Sequence, residues 1–408
     1  MASLILLAGH CMEMRGEDIV LSGIVKEKNG KKRLPGVSLT VPGSNIGTVS
    51  NSDGSFVIKV PDSLINNGVN AEYLGYKSYL LRIKPEGKRI RNIVIPLEMT
   101  GKVLDEYVVY GSDPRYLVEE ALGKISRNYS QRRNLFTSFY RETIKKGKRY
   151  LGISEAIIEV LKNSYSVRTI SGDKVRIIKG RRLLSPQQTD TLAVKLMGGP
   201  MLPVVLDVVK NEELFFSPNE LDLYKFKMEP MTYIDDRLQF VVSFKPEGKA
   251  DYPLHKGKIY IDRETLSITK TEFNVDVSDS DKATRTILRK KPRGLHFKPQ
   301  ELECVVAYKY QDGVSYLNYI QTTTRFKCDW KRRLFSSGYT ISAEMVMVDR
   351  DDNPQTGIQN KNAYRGKDVF SDMVDDFKDE DFWKDYNIIP PTESLEKAVL
   401  KLEGGKKL

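Results

Sequence analysis

Histidine is one of the two scarcest residue types with catalytic potential in this chain, and the spacing of the histidines argues against a catalytic metal. The 408 residues include three histidines, His10, His255 and His296. A catalytic zinc ion needs about three protein ligands, commonly two histidines and a carboxylate, with one position left open for water. His10 and Glu13 have the spacing of a ligand pair, but both lie in or beside an apolar N-terminal segment that is expected to be removed. His255 and His296 have no partner at ligand spacing, so the sequence predicts no zinc site.

The other patterns that could support catalysis or ion binding are incomplete. Asp349–Asn353 begins like a calcium-binding EF-hand loop, but Pro354 and Asn360 occupy the positions that require glycine and glutamate. The chain has neither the Gly-x-Ser-x-Gly motif of serine hydrolases nor the Gly-x-x-x-x-Gly-Lys-Ser/Thr motif of phosphate-binding loops. We therefore assign no catalytic, cofactor-binding or metal-ligating residue, and we expect a protein that is not an enzyme.

Two cysteines, Cys304 and Cys328, remain once Cys11 is set aside with the N-terminal segment. In an oxidising compartment an even pair could form a disulfide. A turn at Gln311–Gly313 would, however, place Cys304 opposite a residue near Ile320 in a simple hairpin. The register favours two separate buried thiols, and the disulfide remains the alternative.

Positive charge is spread through the chain. The formal net charge is +11, with 40% hydrophobic and 29% charged residues, which is a globular composition. Basic clusters occur at Lys145–Arg149, Lys179–Arg182 and Arg289–Lys291, where we expect solvated turns, whereas Asp368–Asp385 is acidic. A nucleic-acid-binding protein would gather such charge on one face with a recognisable motif, and none is found.

Short alternating segments in the first quarter of the chain predict a β-sandwich. Val37, Leu39 and Val41 alternate with polar residues, and so do the apolar residues of 56–60 and 93–97. This period places each apolar set on one face of a strand. Turn sequences such as Asn29-Gly30 separate the strands at short intervals, as in a sandwich.

The order of motifs in this segment resembles a known module. The motifs are Gly23-Ile24-Val25, Leu34-Pro35-Gly36-Val37, Gly47-Thr48-Val49, Asp53-Gly54-Ser55-Phe56 and Gly75-Tyr76. They resemble the carboxypeptidase-regulatory-like domain, a transthyretin-like module found at the N-terminus of TonB-dependent receptors. The resemblance implies a β-sandwich and a location in the cell envelope. Val103–Gly111 resembles the segment that follows this module in such receptors, but about 300 further residues cannot supply a plug and a large barrel.

The remainder predicts a second, larger antiparallel sheet with a few helices. Asp113-Pro114 is a typical helix start, and Val118, Leu122, Ile125 and Tyr129 follow at helical spacing. From residue 136 to residue 349 the pattern is mainly long strands joined by tight turns. Such a sheet must cover its apolar face with helices, a second sheet or closure on itself.

A short amphipathic helix is predicted on that apolar face. Leu202, Val205, Leu206 and Val209 have helical spacing, and we favour a core helix over a lid above a lipid-like ligand. The sequence Gly257–Asp262 resembles the sheet of periplasmic lipoprotein-carrier folds, which implies a hydrophobic ligand as an alternative. Near the C-terminus, Phe382, Trp383 and Tyr386 are expected to pin an acidic tail to the body.

These observations predict a mainly β protein with an N-terminal transthyretin-like sandwich and a larger antiparallel β domain. The predicted parts are a signal segment (1–16, without the basic residues that begin a complete one), the sandwich (20–99), a linker (100–112), the β-rich domain (113–350) and an acidic, aromatic tail with a final helix (351–408). We expect an exported binding or scaffolding protein of the periplasm or the outer-membrane periphery. Its alternatives are a carrier of a hydrophobic ligand, an accessory partner of an outer-membrane transporter and, against the missing zinc ligands, a metallocarboxypeptidase. Peripheral membrane association is compatible with this sequence, and nucleic acid is not an expected partner.

Overall fold

The N-terminal part of the computed structural model is a sandwich of two small sheets. The structure describes residues 18–84, 87–100, 113–185, 194–196, 199–214, 216–330, 336–366, 368–376 and 382–404. The predicted signal segment and almost all of the predicted linker therefore lie outside the described residues. The sandwich strands are β1 (Asp18–Glu27), β2 (Ser38–Thr40), β3 (Gly47–Val49), β4 (Ser55–Pro61), β5 (Val69–Glu72), β6 (Tyr79–Leu81) and β7 (Arg89–Leu97).

The two sheets of the sandwich pack through the predicted apolar faces. One sheet has the order β4-β1-β7, in which β1 and β7 are parallel, and the other has the order β3-β2-β5-β6. Leu21, Leu39, Phe56 and Ile58 are buried between them, as period-two alternation requires. The β-sandwich prediction is confirmed.

Two short helices follow the sandwich. They are α1 (Pro114–Gly123) and α2 (Ile125–Asn128). The Asp113 side chain accepts a hydrogen bond from the backbone N–H of Arg115, and Pro114 occupies the first turn, so the predicted helix start is confirmed. Val118 and Tyr129 are buried in the core of the second domain.

The second domain is built on one eleven-stranded sheet. Its elements are β8 (Asn134–Lys146), β9 (Arg149–Lys162), β10 (Lys174–Leu184), β11 (Lys195–Leu196), α3 (Leu202–Val205), β12 (Tyr224–Ile234), β13 (Arg237–Pro246), β14 (His255–Asp262), β15 (Ile268–Val275), α4 (Ser280–Ile287), β16 (Leu288–Lys290), β17 (Leu295–Gln311), β18 (Val314–Trp330), β19 (Ser337–Asp351), β20 (Asp375–Asp376) and α5 (Glu393–Gly404). The sheet order is β12-β13-β14-β15-β17-β18-β19-β8-β9-β10-β20, and β11 pairs with β16 outside it. The predicted large antiparallel sheet with few helices is confirmed, apart from the parallel β10–β20 contact.

Two of the three turns predicted at basic clusters are wrong, because Arg289 and Lys290 belong to β16 and Lys179–Arg182 lies inside β10. A strand can hold these basic residues because its neighbours neutralise them. The guanidinium group of Arg181 pairs with Glu155 at 3.0 Å, and that of Arg182 pairs with Asp372 at 3.6 Å. The sequence alone does not show which carboxylates the neighbouring segments bring to this strand.

The apolar face of the large sheet is filled by the chain itself. Helices α1 and α2 and the segment around α3 pack on it, and Leu206 and Val209 are buried there as a core contact. Helix α3 ends at Val205, so it is shorter than the predicted amphipathic helix. Asp207 anchors this segment through the hydroxyl groups of Tyr165 and Tyr308, each at 2.7 Å.

The C-terminal segment lies between the sandwich and the sheet. Trp383 is buried and meets the ring of Phe139 edge to face, with 5.6 Å between ring centroids. Val49 of the sandwich and Ile389 of the tail belong to the same apolar cluster. The prediction that the tail aromatics pin this segment to the body is confirmed.

Among the ranges described, no helix combines the length and the apolar character needed to span a bilayer.

Candidate functional site: a groove between the sandwich and the sheet

A groove of about 490 Å³ separates the sandwich from the polar face of the large sheet. Its floor is formed by strands β12 to β15, β17 to β19, β8 and β9, which are consecutive in the sheet. Neighbouring strands lie about 4.8 Å apart, so this floor is roughly 40 Å wide. Sandwich residues 35–38, 49–52 and 72–74 form the opposite wall, and residues 392–395 of the tail close one end.

The sandwich is held on the sheet by hydrogen bonds at the tip of the β12–β13 hairpin. The N–H of Gly75 donates to the carbonyl oxygen of Tyr233 at 2.8 Å, and the N–H of Ser78 donates to the carboxylate of Asp236 at 3.0 Å. Asp235 and Asp236 both have positive φ angles, of 53° and 54°, as a tight hairpin turn requires. The turn therefore presents two carboxyl groups to the sandwich.

A second set of contacts joins the sandwich to the tail. The ammonium group of Lys59 donates to the backbone carbonyls of Trp383, Lys384 and Tyr386. Burial lowers the pKa of Lys59 to about 8. The amide of Asn51 donates to the carbonyl of Pro391 at 3.0 Å. The tail is thus bound to the sandwich mainly through its backbone.

A row of ion pairs crosses four neighbouring strands of the polar face. Arg141 on β8 is directly opposite Glu344 on β19 and Glu155 on β9, and Glu155 is opposite Arg181 on β10. Arg141 contacts Glu155 at 2.7 Å and Glu344 at 3.0 Å, and it donates to the carbonyl of Ile389 at 2.7 Å. Burial alone would lower the pKa of Arg141, but the two carboxylates outweigh that effect and raise it.

A paired arginine and aspartate lie at the other end of the groove. Arg237 donates two hydrogen bonds to Asp262, at 2.6 and 2.8 Å, and its guanidinium group lies 4.7 Å from the ring centroid of Tyr310. Burial acts to raise the pKa of Asp262, and the bonds from Arg237 and Thr265 lower it below its usual value. The two hydrogen bonds hold the guanidinium group of Arg237 and the carboxylate of Asp262 in one orientation at this end of the groove.

Glu72 projects into the groove from the sandwich. It lies on β5 opposite Ser38, and both line the cavity. Burial raises the pKa of Glu72 to about 8, partly offset by the charge of Lys309, while a hydrogen bond with Asp235 raises it further. The raised pKa favours the protonated form of Glu72, which can donate as well as accept a hydrogen bond.

Most of the side chains that line the groove are polar or charged, with apolar side chains such as Leu74 and Val305 between them, and the charged ones carry a small excess of positive charge. Five basic residues and four acidic ones line it: Arg141, Lys145, Arg237, Lys270 and Lys309, and Glu72, Asp235, Asp262 and Glu344. The raised pKa of Glu72 favours its neutral form, which increases this excess of positive charge. The ammonium group of Lys309 donates to the hydroxyl of Thr40 at 2.5 Å, and that of Lys145 lies 4.2 Å from the ring centroid of Tyr150.

His10, Cys11 and Glu13 lie outside the described residues, and none of the other residues weighed for metal or thiol chemistry lines this groove. His255 is buried against Phe273, and burial lowers its pKa to about 4. Asp349 and Asp351 belong to β19, outside any calcium loop. No group of three histidine, cysteine, aspartate or glutamate side chains that could hold a metal ion occurs within the described ranges.

Cys304 and Cys328 are separate buried thiols, as the register argument favoured. Cys304 is opposite Thr322, whereas Cys328 is opposite Phe297. Burial raises the pKa of both thiols, that of Cys328 to about 11.

Sequence reasoning did not identify the groove residues. Period-two alternation does place Arg141, Glu155 and Glu344 opposite the apolar positions of their strands. The pairing of these residues depends on the register of strands that are far apart in the chain.

The N-terminal domain can be classified by comparison with known families. Residues 21–109 match the family model of the CarboxypepD_reg-like domain. The sandwich is therefore a domain of this family, joined here to a large antiparallel sheet.

A curated relative also matches the N-terminal region. Over 107 residues the chain is 32% identical to the TonB-dependent receptor P3 of Formosa agariphila. The match covers 26% of this chain and 10% of the receptor, so the chain spans about a tenth of that relative's length.

Solved structures show only distant similarity to the chain. The putative outer membrane lipoprotein-sorting protein domain from Vibrio parahaemolyticus is 14% identical, with a TM-score of 0.28, 60% coverage of this chain and 94% coverage of that one. A DUF1329 family protein from Desulfovibrio piger is 10% identical, with a TM-score of 0.24 and coverages of 61% and 96%. MucB in complex with MucA(peri) is 12% identical, with a TM-score of 0.18 and coverages of 59% and 100%. Similarity at this level assigns no function.

Proposed function

We propose that this protein is a non-enzymatic binding protein of the cell envelope, whose sandwich–sheet groove binds an extended polar ligand. The observation that supports this proposal is the groove itself, which has a volume of about 490 Å³ and crosses consecutive strands. Binding sites are typically preformed clefts in which a few fixed polar groups orient the ligand. Fixed groups of this kind are supplied by the Arg237–Asp262 pair and by the row around Arg141.

The pairing of these charges favours binding over catalysis. Asp262 is hydrogen-bonded to Arg237 and Thr265, and Arg141 is engaged by two carboxylates and a carbonyl. An acid or base in catalysis must exchange a proton with its substrate. Asp262 and Arg141 instead form hydrogen bonds and ion pairs with neighbouring protein groups. They can still orient hydroxyl, amide or charged groups of a bound molecule.

A polar ligand fits this protein better than the hydrophobic one considered from the sequence. The apolar face of the sheet packs against α1, α2 and the α3 segment, so it is occupied by the chain. The groove lies on the opposite face, among amide, hydroxyl and charged side chains. We therefore assign the ligand to the polar face.

The proposed envelope location is supported by the N-terminal domain. The CarboxypepD_reg-like domain of residues 21–109 is similar to a segment of a TonB-dependent receptor. The apolar segment at residues 4–8 is typical of an export signal.

A second candidate function follows from the similarity to a TonB-dependent receptor, namely that of an accessory partner of an outer-membrane transporter. Crosslinking in intact membranes tests that candidate by asking whether such a transporter is recovered.

The binding proposal can be tested with the full chain, isolated from its own envelope without detergent. Native mass spectrometry should reveal an added mass that a polar solvent extracts. Ser342 lies on the groove floor, whereas Ser243 lies on the same face outside the groove. The variant Ser342→Trp should lose the added mass, and the control Ser243→Trp should keep it.

Circular dichroism melting establishes that both variants are folded. A wild-type mass with no ligand would contradict the proposal, and so would a ligand retained by both variants. A ligand that partitions into chloroform would instead support the carrier of a hydrophobic molecule.

A further inference from the structure

Five lysines occupy one corner of the polar face of the large sheet. Lys225 and Lys227 lie on β12, Lys245 lies on β13, and Lys256 and Lys258 lie on β14. All five are exposed, and they alternate with buried residues that face the opposite side. We call these five residues the lysine corner.

The strand register brings these like charges close together. Lys225 is directly opposite Lys245, and Ser243 stands between Lys227 and Lys258 in the next row. Neighbouring strands are about 4.8 Å apart, and like charges that face each other destabilise a sheet. The arrangement therefore weakens the sheet edge, and an external anion would relieve the repulsion.

Nearby carboxylates neutralise this corner only in part. Lys227 lies 3.5 Å from Glu229, and Lys225 lies 3.7 Å from Glu247. Exposed pairs of this kind contribute little and are weakened by salt. Lys245, Lys256 and Lys258 form no ion pair within 4 Å in the described part of the chain, although Lys258 is directly opposite Glu272 on β15. The corner therefore keeps a net positive charge.

We propose that the lysine corner docks the protein on a membrane surface of anionic lipid headgroups. Interfaces between folded proteins are enriched in arginine and aromatic residues and depleted in lysine, whereas clustered lysines are typical of surfaces that attract anionic bilayers. The neighbours of the corner on the same face include the polar residues Ser243, Glu229, Glu272 and Asn274, and the two larger apolar ones, Val241 and Tyr260, are buried. The attraction is therefore electrostatic, with no exposed apolar side chain among these neighbours to enter the bilayer.

The corner lies away from the point where the sandwich contacts the sheet. The sandwich contacts the tip of the β12–β13 hairpin at Asp236, whereas Lys225 is the second residue of β12, at the other end of the hairpin. About nine residues of strand at roughly 3.3 Å each place Lys225 about 30 Å from that contact. A bilayer can therefore approach the corner beside the docked sandwich.

Sedimentation of the full chain with vesicles tests this inference. The vesicles contain phosphatidylcholine and phosphatidylglycerol in a ratio of about two to one, in salt of about 0.15 M. Wild-type protein should sediment with these vesicles, should not sediment with pure phosphatidylcholine, and should be released by about 1 M salt. The triple variant Lys225→Gln, Lys245→Gln, Lys256→Gln should partition about a hundredfold more weakly.

A matched triple variant, Lys31→Gln, Lys148→Gln, Lys361→Gln, removes the same charge from exposed sites elsewhere and should bind nearly as wild type does. Equal losses in both triple variants would overturn the assignment of the corner, because they would report net charge alone. Wild-type binding to soluble polyglutamate but not to vesicles would assign the corner to an acidic protein and would also overturn the inference. The groove proposal is unaffected by either result, because none of these lysines lines the groove.

Discussion

Glu72 makes the contact between sandwich and sheet sensitive to pH. Burial raises its pKa from the usual 4.5 to about 8, and the nearby Asp235 adds to the shift. Asp235 belongs to the hairpin turn that also carries Asp236, which is hydrogen-bonded to Ser78. A carboxyl group whose protonated form is favoured by burial therefore lies where the two domains meet.

The pH dependence follows from the protons bound in each state. Between about pH 4.5 and 8 the folded protein keeps the proton on Glu72, whereas the unfolded chain releases it. The folded state then binds more protons, so its stability falls as pH rises through this window. We expect the melting temperature of the sandwich to drop between pH 5 and pH 8, and the variant Glu72→Gln to drop less. Calorimetry at both pH values measures this difference.

The control for this prediction is Glu396→Gln, because Glu396 is exposed on α5. It should keep the wild-type pH dependence. If Glu72→Gln melted with the same pH dependence as wild type, the buried protonated acid would be excluded.

At the scale of single residues, the sequence predicted exposure and alternation but not the pairing of charges. Glu72 ends a strand that alternation places against the sandwich core, yet its side chain becomes buried only when the sheet approaches. The same holds for Arg181, for which a turn was predicted and which instead pairs with Glu155 on a neighbouring strand. Burial by a distant segment has no local signature in the sequence.

Strand β1 illustrates how one element holds the sandwich together. It pairs with β4 on one side and, in parallel, with β7 on the other. The register of the β1–β7 pair shifts between Leu21 and Gly23, and the two backbones approach closely there. A Cβ atom at Gly23 would lie 1.9 Å from the carbonyl oxygen of Ile93. A side chain at this position would force the two strands apart.

We expect Gly23→Ala to destabilise the sandwich by about 1–3 kcal/mol, the usual cost of overpacking a tight site. Urea unfolding followed by circular dichroism measures the change. Gly123→Ala is the matched control, because a Cβ atom at Gly123 would meet no atom within 4 Å. Alanine is also favoured over glycine in helices, so the control should be neutral or slightly stabilising. Equal stability of the two variants would contradict the close approach at Gly23.

At the scale of elements, local patterns predicted the strands and helix starts well. The hairpin of Tyr224–Ile234 and Arg237–Pro246 turns at Asp235-Asp236, and α1 begins after Asp113, both as predicted. Turn residues and caps act within a few positions, so the sequence carries them directly. The short α3 and the strand at Lys179–Arg182 depended on tertiary contacts.

The C-terminal tail contacts both domains and so helps to hold the sandwich against the sheet. It supplies backbone carbonyls to Lys59 of the sandwich and to Arg141 of the sheet, and it buries Trp383 against Phe139. The closed end of the groove, at Thr392 and nearby residues, also belongs to this segment. Detachment of the tail should therefore loosen the sandwich and open the groove.

We expect Trp383→Ala to cost about 3–5 kcal/mol of unfolding free energy, as large buried aromatic side chains do. Limited proteolysis should show faster cleavage near residues 384–392, and urea unfolding gives the free energy. The control Leu400→Ala removes an exposed side chain from the same segment and should change neither measurement. Unchanged cleavage in Trp383→Ala would mean that the tail is held by its backbone contacts alone.

The sequence by itself determined the sandwich, the long hairpins and the division of the large sheet into an apolar and a polar face. Those features follow from period-two alternation and turn residues, which act over a few positions. Only the tertiary structure decided that the sandwich docks on the polar face, that Arg141 joins three strands, and that Glu72 is buried beside Asp235. These contacts join residues far apart in the chain, and their energies depend on desolvation once the domains meet. The groove, the proposed ligand site, exists only in that assembly.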